Sequence, residues 1–348
     1  MRRQDPGPAE QRAAPGSPMA ASGSPMAVPG SPTAAPGSPV AVLGECVADA
    51  FTDGPAGGEL ILRVLPGGGP ANTAVALARL GTPARFLGRL SGDVFGTLFR
   101  DRLSASGVDL TGCVAAAEPS TLGVAALDGE GRAAYSFHAE GTADFQWAAA
   151  ELDVARLGGA SCLHTGSLAL VCPPGAERVE AFAGQAARGA TVSIDPNVRP
   201  ALVDPRVYRE RMARWCELAD LIRLSDDDLD VIHPGMEPAR ACDLWHAAGT
   251  RLVVVTLGAR GALVSLDGAR AEVPGVPVDV VDTVGAGDAF TAGLLHRLGE
   301  RGLLGGRLDR LDLDTAVESA AFAARVAALT CTVAGADPPW ASDLAPTA

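Results

Sequence analysis

From Val40 onward the chain alternates short apolar runs with helical stretches, and this rhythm restricts its fold more than any other feature. The runs Val40–Leu43, Ala84–Leu87, Cys162–His164, Thr191–Ile194, Leu221–Leu224 and Leu252–Val255 are set off by Gly and polar residues, and they read as strands. Between them, Ala71–Leu80, Val94–Ser106, Ala176–Arg188 and Pro238–Ala248 carry helical patterning. Strand then helix, repeated, predicts right-handed crossovers and an α/β fold whose mostly parallel central sheet is covered by helices on both faces. In such folds the loops that bind ligands gather beyond the carboxyl ends of the strands. Two segments break the rhythm. Glu59–Leu65 and Thr121–His138 read as exposed strands, the second a hairpin turning at Asp128-Gly129-Glu130-Gly131. They predict a small β-lid built from about residues 51–66 and 120–140.

Residues 1–38 have a different character. Gly-Ser-Pro recurs at Gly16, Gly23, Gly30 and Gly37 among Ala, Met, Val and Pro. Pro removes a donor and Gly raises chain entropy, so neither ladder nor helix is favoured. The stretch reads as a disordered tail, with docking to a partner as the alternative. A single domain over 39–340 and a short C-terminal tail at 341–348 complete the expected organisation.

Composition removes several functions. The formal net charge is −13, and all 28 basic residues are Arg. An acidic chain without basic clusters is a poor partner for nucleic acid or an anionic membrane surface. Without Lys, neither a GxxxxGK[ST] phosphate loop nor the active-site Lys of a protein kinase can exist. Seven Cys without a CxxC pair argue against a zinc knuckle and a disulfide framework, and favour a reducing compartment. No signal peptide follows Arg2 and Arg3, and Ala320–Ala336 is interrupted by Arg325 and too short to span a bilayer. A cytoplasmic protein is expected. The five His residues show no metal-ligand spacing; His138, at the end of the hairpin, reads as substrate-facing or simply solvated.

Chemistry is concentrated in Asp282-Thr283-Val284-Gly285-Ala286-Gly287-Asp288-Ala289-Phe290 and the helix Ala289–Leu298 that follows. Small residues let a ligand approach the backbone, and the first N–H groups of a helix are unpaired donors at its positive end. Such an end holds phosphate without Lys. Asp288 beside it can take a proton from an alcohol, and phosphoryl transfer asks mainly for in-line placement and charge stabilisation. The same pattern also describes an ordinary helix start with an Asp in its first turn. A dinucleotide GxGxxG is excluded, because its third glycine falls on Phe290. A second loop, Gly67-Gly68-Gly69-Pro70-Ala71-Asn72, strips side chains away so that a ligand can rest on backbone, and Asn72 offers both donor and acceptor to a hydroxyl. Its alternative is a glycine turn before a helix with Pro in its first turn.

The stretches GGGPANTAVALARLG (67–81) and DTVGAGDAFTAGL (282–294) resemble the two signatures of the ribokinase and fructokinase family, the PfkB carbohydrate kinases. The resemblance continues through GRLSGD (88–93), DPNVRP (195–200) and TLGARG (256–261), and covers about residues 40–339 in the family's order. It implies a ribokinase-like fold, with Asp288 as catalytic base and Gly285, Ala286 and Gly287 as the backbone anion hole. By the same resemblance Asp49, Gly68, Gly69 and Asn72 match sugar-binding positions, and Arg199 could grip a transferring phosphate, although a surface Arg in a turn is equally ordinary. Thr256, Gly258 and Gly261 match the loop that passes the nucleotide. ATP with Mg²⁺ is the implied cofactor, and K⁺ near the Asp282–Thr283 loop is a further one.

Two departures stand out. Where the family often has Asn-x-x-Glu linked to Mg²⁺ and phosphate, this chain has Ser225-Asp226-Asp227-Asp228; Asp228 keeps the carboxylate. Its late helix, AAFAARVAAL, lacks the Asn that often faces adenine. The expected activity is transfer of the ATP γ-phosphate to a primary hydroxyl of a sugar. Fructose comes first, because DPNVRP and the Ser-Asp-Asp-Asp run look fructokinase-like. The alternative acceptor is 2-keto-3-deoxygluconate, whose carboxylate would want another cation, and the alternative of another class is a non-catalytic sugar-binding regulator. A homodimer formed through exposed strand edges is also expected.

Overall fold

The computed structural model describes residues 37–52, 58–127 and 133–344. The GSP-containing stretch up to residue 36, the expected hairpin turn at 128–131 and the last four residues lie outside the described residues. In chain order the strands are β1 (Val40–Leu43), β2 (Val47–Thr52), β3 (Arg63–Gly67), β4 (Ala84–Leu87), β5 (Arg89–Ser91), β6 (Val114–Ala116) and β7 (Thr121–Leu127). Then follow β8 (Ala133–His138), β9 (Cys162–Gly166), β10 (Thr191–Asp195), β11 (Leu221–Ser225), β12 (Leu252–Thr256), β13 (Gly261–Leu266) and β14 (Ala269–Pro274). The helices are α1 (Gly69–Arg79), α2 (Val94–Ala105), α3 (Ala176–Ala186), α4 (Pro205–Leu218), α5 (Asp226–Ile232), α6 (Pro238–Ala248), α7 (Ala286–Glu300) and α8 (Leu313–Thr330).

Eight strands form the central sheet, in the order β14-β13-β12-β11-β10-β9-β1-β4. The run from β12 to β4 is parallel throughout, and the β13–β14 hairpin closes one edge antiparallel. A parallel sheet is buried on both faces, so its strands are apolar residue after residue rather than alternately. In β1, Val40 and Val42 face the core under α1, α2, α7 and α8, while Ala41 and Leu43 face the core under α3, α4, α5 and α6. Leu252 and Val254 divide from Val253 and Val255 in the same way. Trp215 and Trp245 are completely shielded on the second face. Among the described residues no helix is long and apolar enough to cross a membrane.

A separate sheet of order β3-β2-β7-β8 forms the expected β-layer, with one strand shifted. The apolar run that suggested a strand from Glu59 points outward instead: Leu60, Ile61 and Leu62 are exposed, and the strand begins at Arg63, where Phe51 provides a pairing partner. The second strand of that layer, β2, has no clean apolar signal, because Asp49 sits in its centre. The late helix begins at Ala286, three residues before the expected Ala289, and so takes Asp288 into its first turn.

Candidate active site

The site grows from the carboxyl ends of the central strands. Gly285 caps α7 with a φ of 78°, a left-handed conformation that favours Gly, and a side chain there would collide with Ala336. Gly287 and Asp288 follow in the first turn, where backbone N–H groups lack helical partners. The N–H of Ala286 is already taken by the Thr283 carbonyl at 3.2 Å. Gly68 caps α1 with a φ of 101°, and its missing side chain leaves room for the backbone of Glu45 and Cys46. The two helix starts therefore converge.

Two clefts meet at that point. The first, of about 550 Å³, contains Asp49, Gly68, Gly69, Asn72, Arg199, Gly285, Gly287, Asp288, Ser225 and Asp228. The second, of about 630 Å³, contains Thr256, Gly258, Gly261 and Ala286, with Ser225 and Gly287 again. Arg223, Ser225, Asp227, Thr283 and Gly287 line both. Of the residues singled out in the sequence for catalysis, ligand or metal binding, all but Asp282 and His138 line one cleft or the other. Asp282 instead braces the loop: its carboxylate accepts from the amides of Val284 (3.1 Å) and Gly335 (2.8 Å).

Asp288 opens on the first cleft, half-buried, with protein packed closely around its carboxyl group. Loss of hydration pushes its pKa up to about 7. The amide of Asn72 opposes this by donating to Oδ2 at 2.9 Å, while the nearby Asp195 adds to the rise and Arg199 and Arg223 pull down. Gly69 has no side chain where one would strike the Asn197 amide and crowd Asp288 Oδ1. Burial likewise raises Asp49, to about 6, against the pull of Arg199. Acids with raised pKa values facing an open cleft mark a place where protons can move near neutral pH.

Asp228 lines the first cleft with both carboxylate oxygens engaged. One accepts from the Val198 amide (2.9 Å), the other from the Ser225 hydroxyl (2.8 Å). Asp227, beside it, is exposed and faces both clefts. Among the described residues no group of three or more His, Cys, Asp or Glu could hold a metal by itself. His138 is exposed and lines neither cleft; its neighbour Phe137 reaches the first one. The far wall of the second cleft is apolar, built from Val276, Pro277, Val278 and Val280 with Ala324, Ala327 and Ala328 of α8, where the sequence lacks an Asn.

Three residues escaped the sequence reading. Glu45 follows β1, is 1% exposed and still lines the first cleft, with its pKa raised to about 7 by burial. Asn197, in the DPN turn, holds a φ of 41° and lines the same cleft. Arg223 lies inside a buried strand and reaches both clefts. The one signal for it was a lone charge within the run LIRLS.

A family model described as pfkB family carbohydrate kinase matches residues 40–343. The chain belongs to that family. A fructokinase of Rhizobium leguminosarum bv. trifolii is 36% identical over 258 residues, covering 73% of this chain and 78% of that protein. The solved fructokinase of Xylella fastidiosa with bound ATP is 30% identical, with a TM-score of 0.77 over 86% of this chain and 93% of that one. The Vibrio cholerae O395 fructokinase, solved with fructose, ADP and calcium ion, is 30% identical, with a TM-score of 0.73 over 87% and 95% of the two chains. This pfkB kinase thus has the ribokinase-like α/β fold that its sequence implied.

Proposed function

We propose that this pfkB kinase transfers the γ-phosphate of ATP to a primary hydroxyl of fructose, with the first cleft taking the sugar and the second the nucleotide. One observation carries the reading: Asp288, an acid with its pKa raised to about 7, stands in the first turn of α7 where the two clefts join. Relatives bound to fructose with ADP, or to ATP, support the choice of ligands.

In this reading Asp49, Asn72 and the backbone of Gly68 and Gly69 hold the sugar hydroxyls. Asp288 takes the proton of the attacking hydroxyl, and the amides of Gly285 and Gly287 donate to the phosphoryl oxygens, while that of Ala286 stays with the Thr283 carbonyl. Arg199 lines only the sugar-side cleft, so its charge acts from the acceptor's side. Thr256, Gly258 and Gly261 form the wall along the nucleotide, and Ser225 stands at the junction. Mg²⁺ would sit with the nucleotide phosphates and neutralise their charge. Asp227 is free to face it, and Asp228, with both oxygens engaged, would reach it only through water. K⁺ would be held by the backbone of the 282–285 loop, which the Asp282 carboxylate keeps in shape.

A coupled ADP-release assay across fructose, 2-keto-3-deoxygluconate, ribose, glucose and adenosine tests the reading. Fructose should give the highest kcat/KM. Turnover confined to 2-keto-3-deoxygluconate would move the acceptor to an acid sugar, with Arg199 as the cation for its carboxylate. No ADP release with any acceptor would leave the sugar-binding regulator. A dimer through the exposed strand edges of the β-layer, with Phe51 on β2 and Leu60 and Ile61 exposed just ahead of β3, and a cytoplasmic location belong to the same proposal; light scattering and fractionation test them.

A further inference from the structure

Resting on that assignment of the clefts, we infer that Arg223 is a catalytic cation of this chain: it grips the transferring phosphoryl group where the clefts meet. Arg223 projects from β11 and is 7% exposed. Nη1 donates to Asp195 Oδ2 at 2.8 Å and Nη2 to Thr256 Oγ1 at 2.6 Å. These partners end the two strands that flank β11, so the guanidinium is fixed from both sides. Each Nη keeps one N–H beyond those bonds, and Nε, also buried, has no hydrogen-bond partner among the described residues. A buried guanidinium with spare donors is costly unless something accepts from them.

The fork presses against the helix start. A side chain on Gly287 would stand 2.6 Å from Nη1 and 3.0 Å from Nη2, so the absence of one leaves the guanidinium beside the first turn of α7. Charge singles out the same residue. The described lining of the first cleft includes Glu45, Asp49, Asp227, Asp228 and Asp288 against Arg199 and Arg223. The second has Asp226 and Asp227 against Arg223 alone. A polyphosphate entering such surroundings needs fixed positive charge, and in a chain without Lys this Arg is the one cation among the described residues to line both clefts. Its planar fork suits the oxygens of a phosphoryl group.

The step balances without another reactant. The acceptor oxygen bonds to the γ-phosphorus, and the bond from that phosphorus to the β–γ bridging oxygen breaks. Its electron pair leaves with ADP, and the hydroxyl proton goes to Asp288. Arg223 neither gives nor takes a proton; its charge offsets that on the phosphoryl oxygens as they pass from one cleft to the other.

The test compares the parent protein with Arg223→Gln, Arg223→Lys and the double variant Arg223→Gln/Asp195→Asn. The double variant removes the carboxylate that the single one strands, and it is read in place of the single variant should that one fail to fold. Dissociation constants for ADP and for the non-hydrolysable β,γ-imido analogue of ATP are measured by calorimetry with Mg²⁺ present. The expected result is loss of about tenfold or more in affinity for the triphosphate, with ADP changed far less, because charged phosphate contacts are the strong ones. With fructose, kcat should fall by about 10²–10³-fold, and Lys should restore part of that by supplying charge without the fork. Unchanged preference for triphosphate over ADP in a folded Gln variant would overturn the inference. So would parent-like turnover in the double variant, since Arg223 would then serve only to neutralise Asp195. A parent protein that binds triphosphate through Arg223 yet fails to phosphorylate fructose would overturn the acceptor assignment and leave the role of Arg223 standing.

Discussion

The side-chain amide of Asn72 donates to Oδ2 of Asp288 at 2.9 Å, joining positions 216 residues apart in the chain. The bond links the glycine loop that opens α1 to the glycine turn that opens α7. It also stabilises the charged form of a carboxyl group that its surroundings would keep protonated, since burial has already moved Asp288 up to about 7.

A pH profile follows from that pair. If Asp288 must be deprotonated to act, kcat/KM should rise with pH through about 7 and level off above it. Asn72→Ala removes a donor to the carboxylate, so the protonated form gains and the rising limb should move to higher pH. Profiles of kcat/KM for parent and variant measure the displacement directly. A limb that stays in place, or moves toward acid, would show that Asn72 does not tune this group.

Helix α7 makes a claim about backbone. Gly285 is left-handed, and a methyl group there would lie 2.6 Å from the Cβ of Ala336. A left-handed conformation costs a non-Gly residue roughly 1–2 kcal/mol, and the collision adds to it. Gly285→Ala should therefore lower Tm, and kcat should fall more than fructose affinity because the first turn of α7 is displaced. Thermal unfolding and calorimetry separate the two; an unchanged Tm would mean the loop simply relaxes.

Much of this could be seen in the sequence, for reasons that differ between residues. Strand β1 was visible because burial on both faces leaves four apolar residues in a row. Asp288 and its glycines were visible because small residues and an acid stand together just where a helix was expected to start, and the cap and first turn of α7 hold them. Strand β2 was hidden by its central Asp49, a polar residue that lines the first cleft and interrupts the apolar pattern of the strand. Leu60–Leu62 misled because apolar composition says nothing about which way a segment faces; Ile61 is 78% exposed. Arg223 showed only as a lone charge in an apolar run, and its role was hidden for another reason. Its partner Asp195 is 28 residues away, and only adjacent parallel strands bring the two together.

The N-terminal stretch gives a simpler expectation. The carbonyl of Pro39 accepts from the Ser161 amide at 2.8 Å, which ties the chain to the sheet just ahead of β1. The composition before it offers little to bury. A chain shortened to begin at Pro39 should keep both Tm and turnover. Loss of either would give the Gly-Ser-Pro stretch a structural or catalytic part.

The sharpest prediction concerns Asp288→Asn, because stability and activity should move in opposite directions. Asn keeps the size and the hydrogen-bonding capacity of the side chain but cannot accept a proton as a base, so kcat should fall by roughly 10²–10⁴-fold, the usual range for general acid–base catalysis. Fructose and nucleotide affinities should change far less, since Asp49, Asn72 and the backbone turns remain. Stability follows from the raised pKa. The native carboxyl holds its proton up to about pH 7, whereas the unfolded chain releases it near the usual 3.8. Between those values the native state binds the extra proton, so this group's contribution to stability declines as pH rises and is lowest above about 7. A neutral Asn escapes that decline. The variant should therefore melt above the parent at pH 8, and the advantage should shrink toward pH 5. Turnover near the parent's in a folded variant would remove Asp288 from the chemistry. A melting difference that does not change with pH would show instead that its carboxyl group keeps an ordinary pKa in the folded protein.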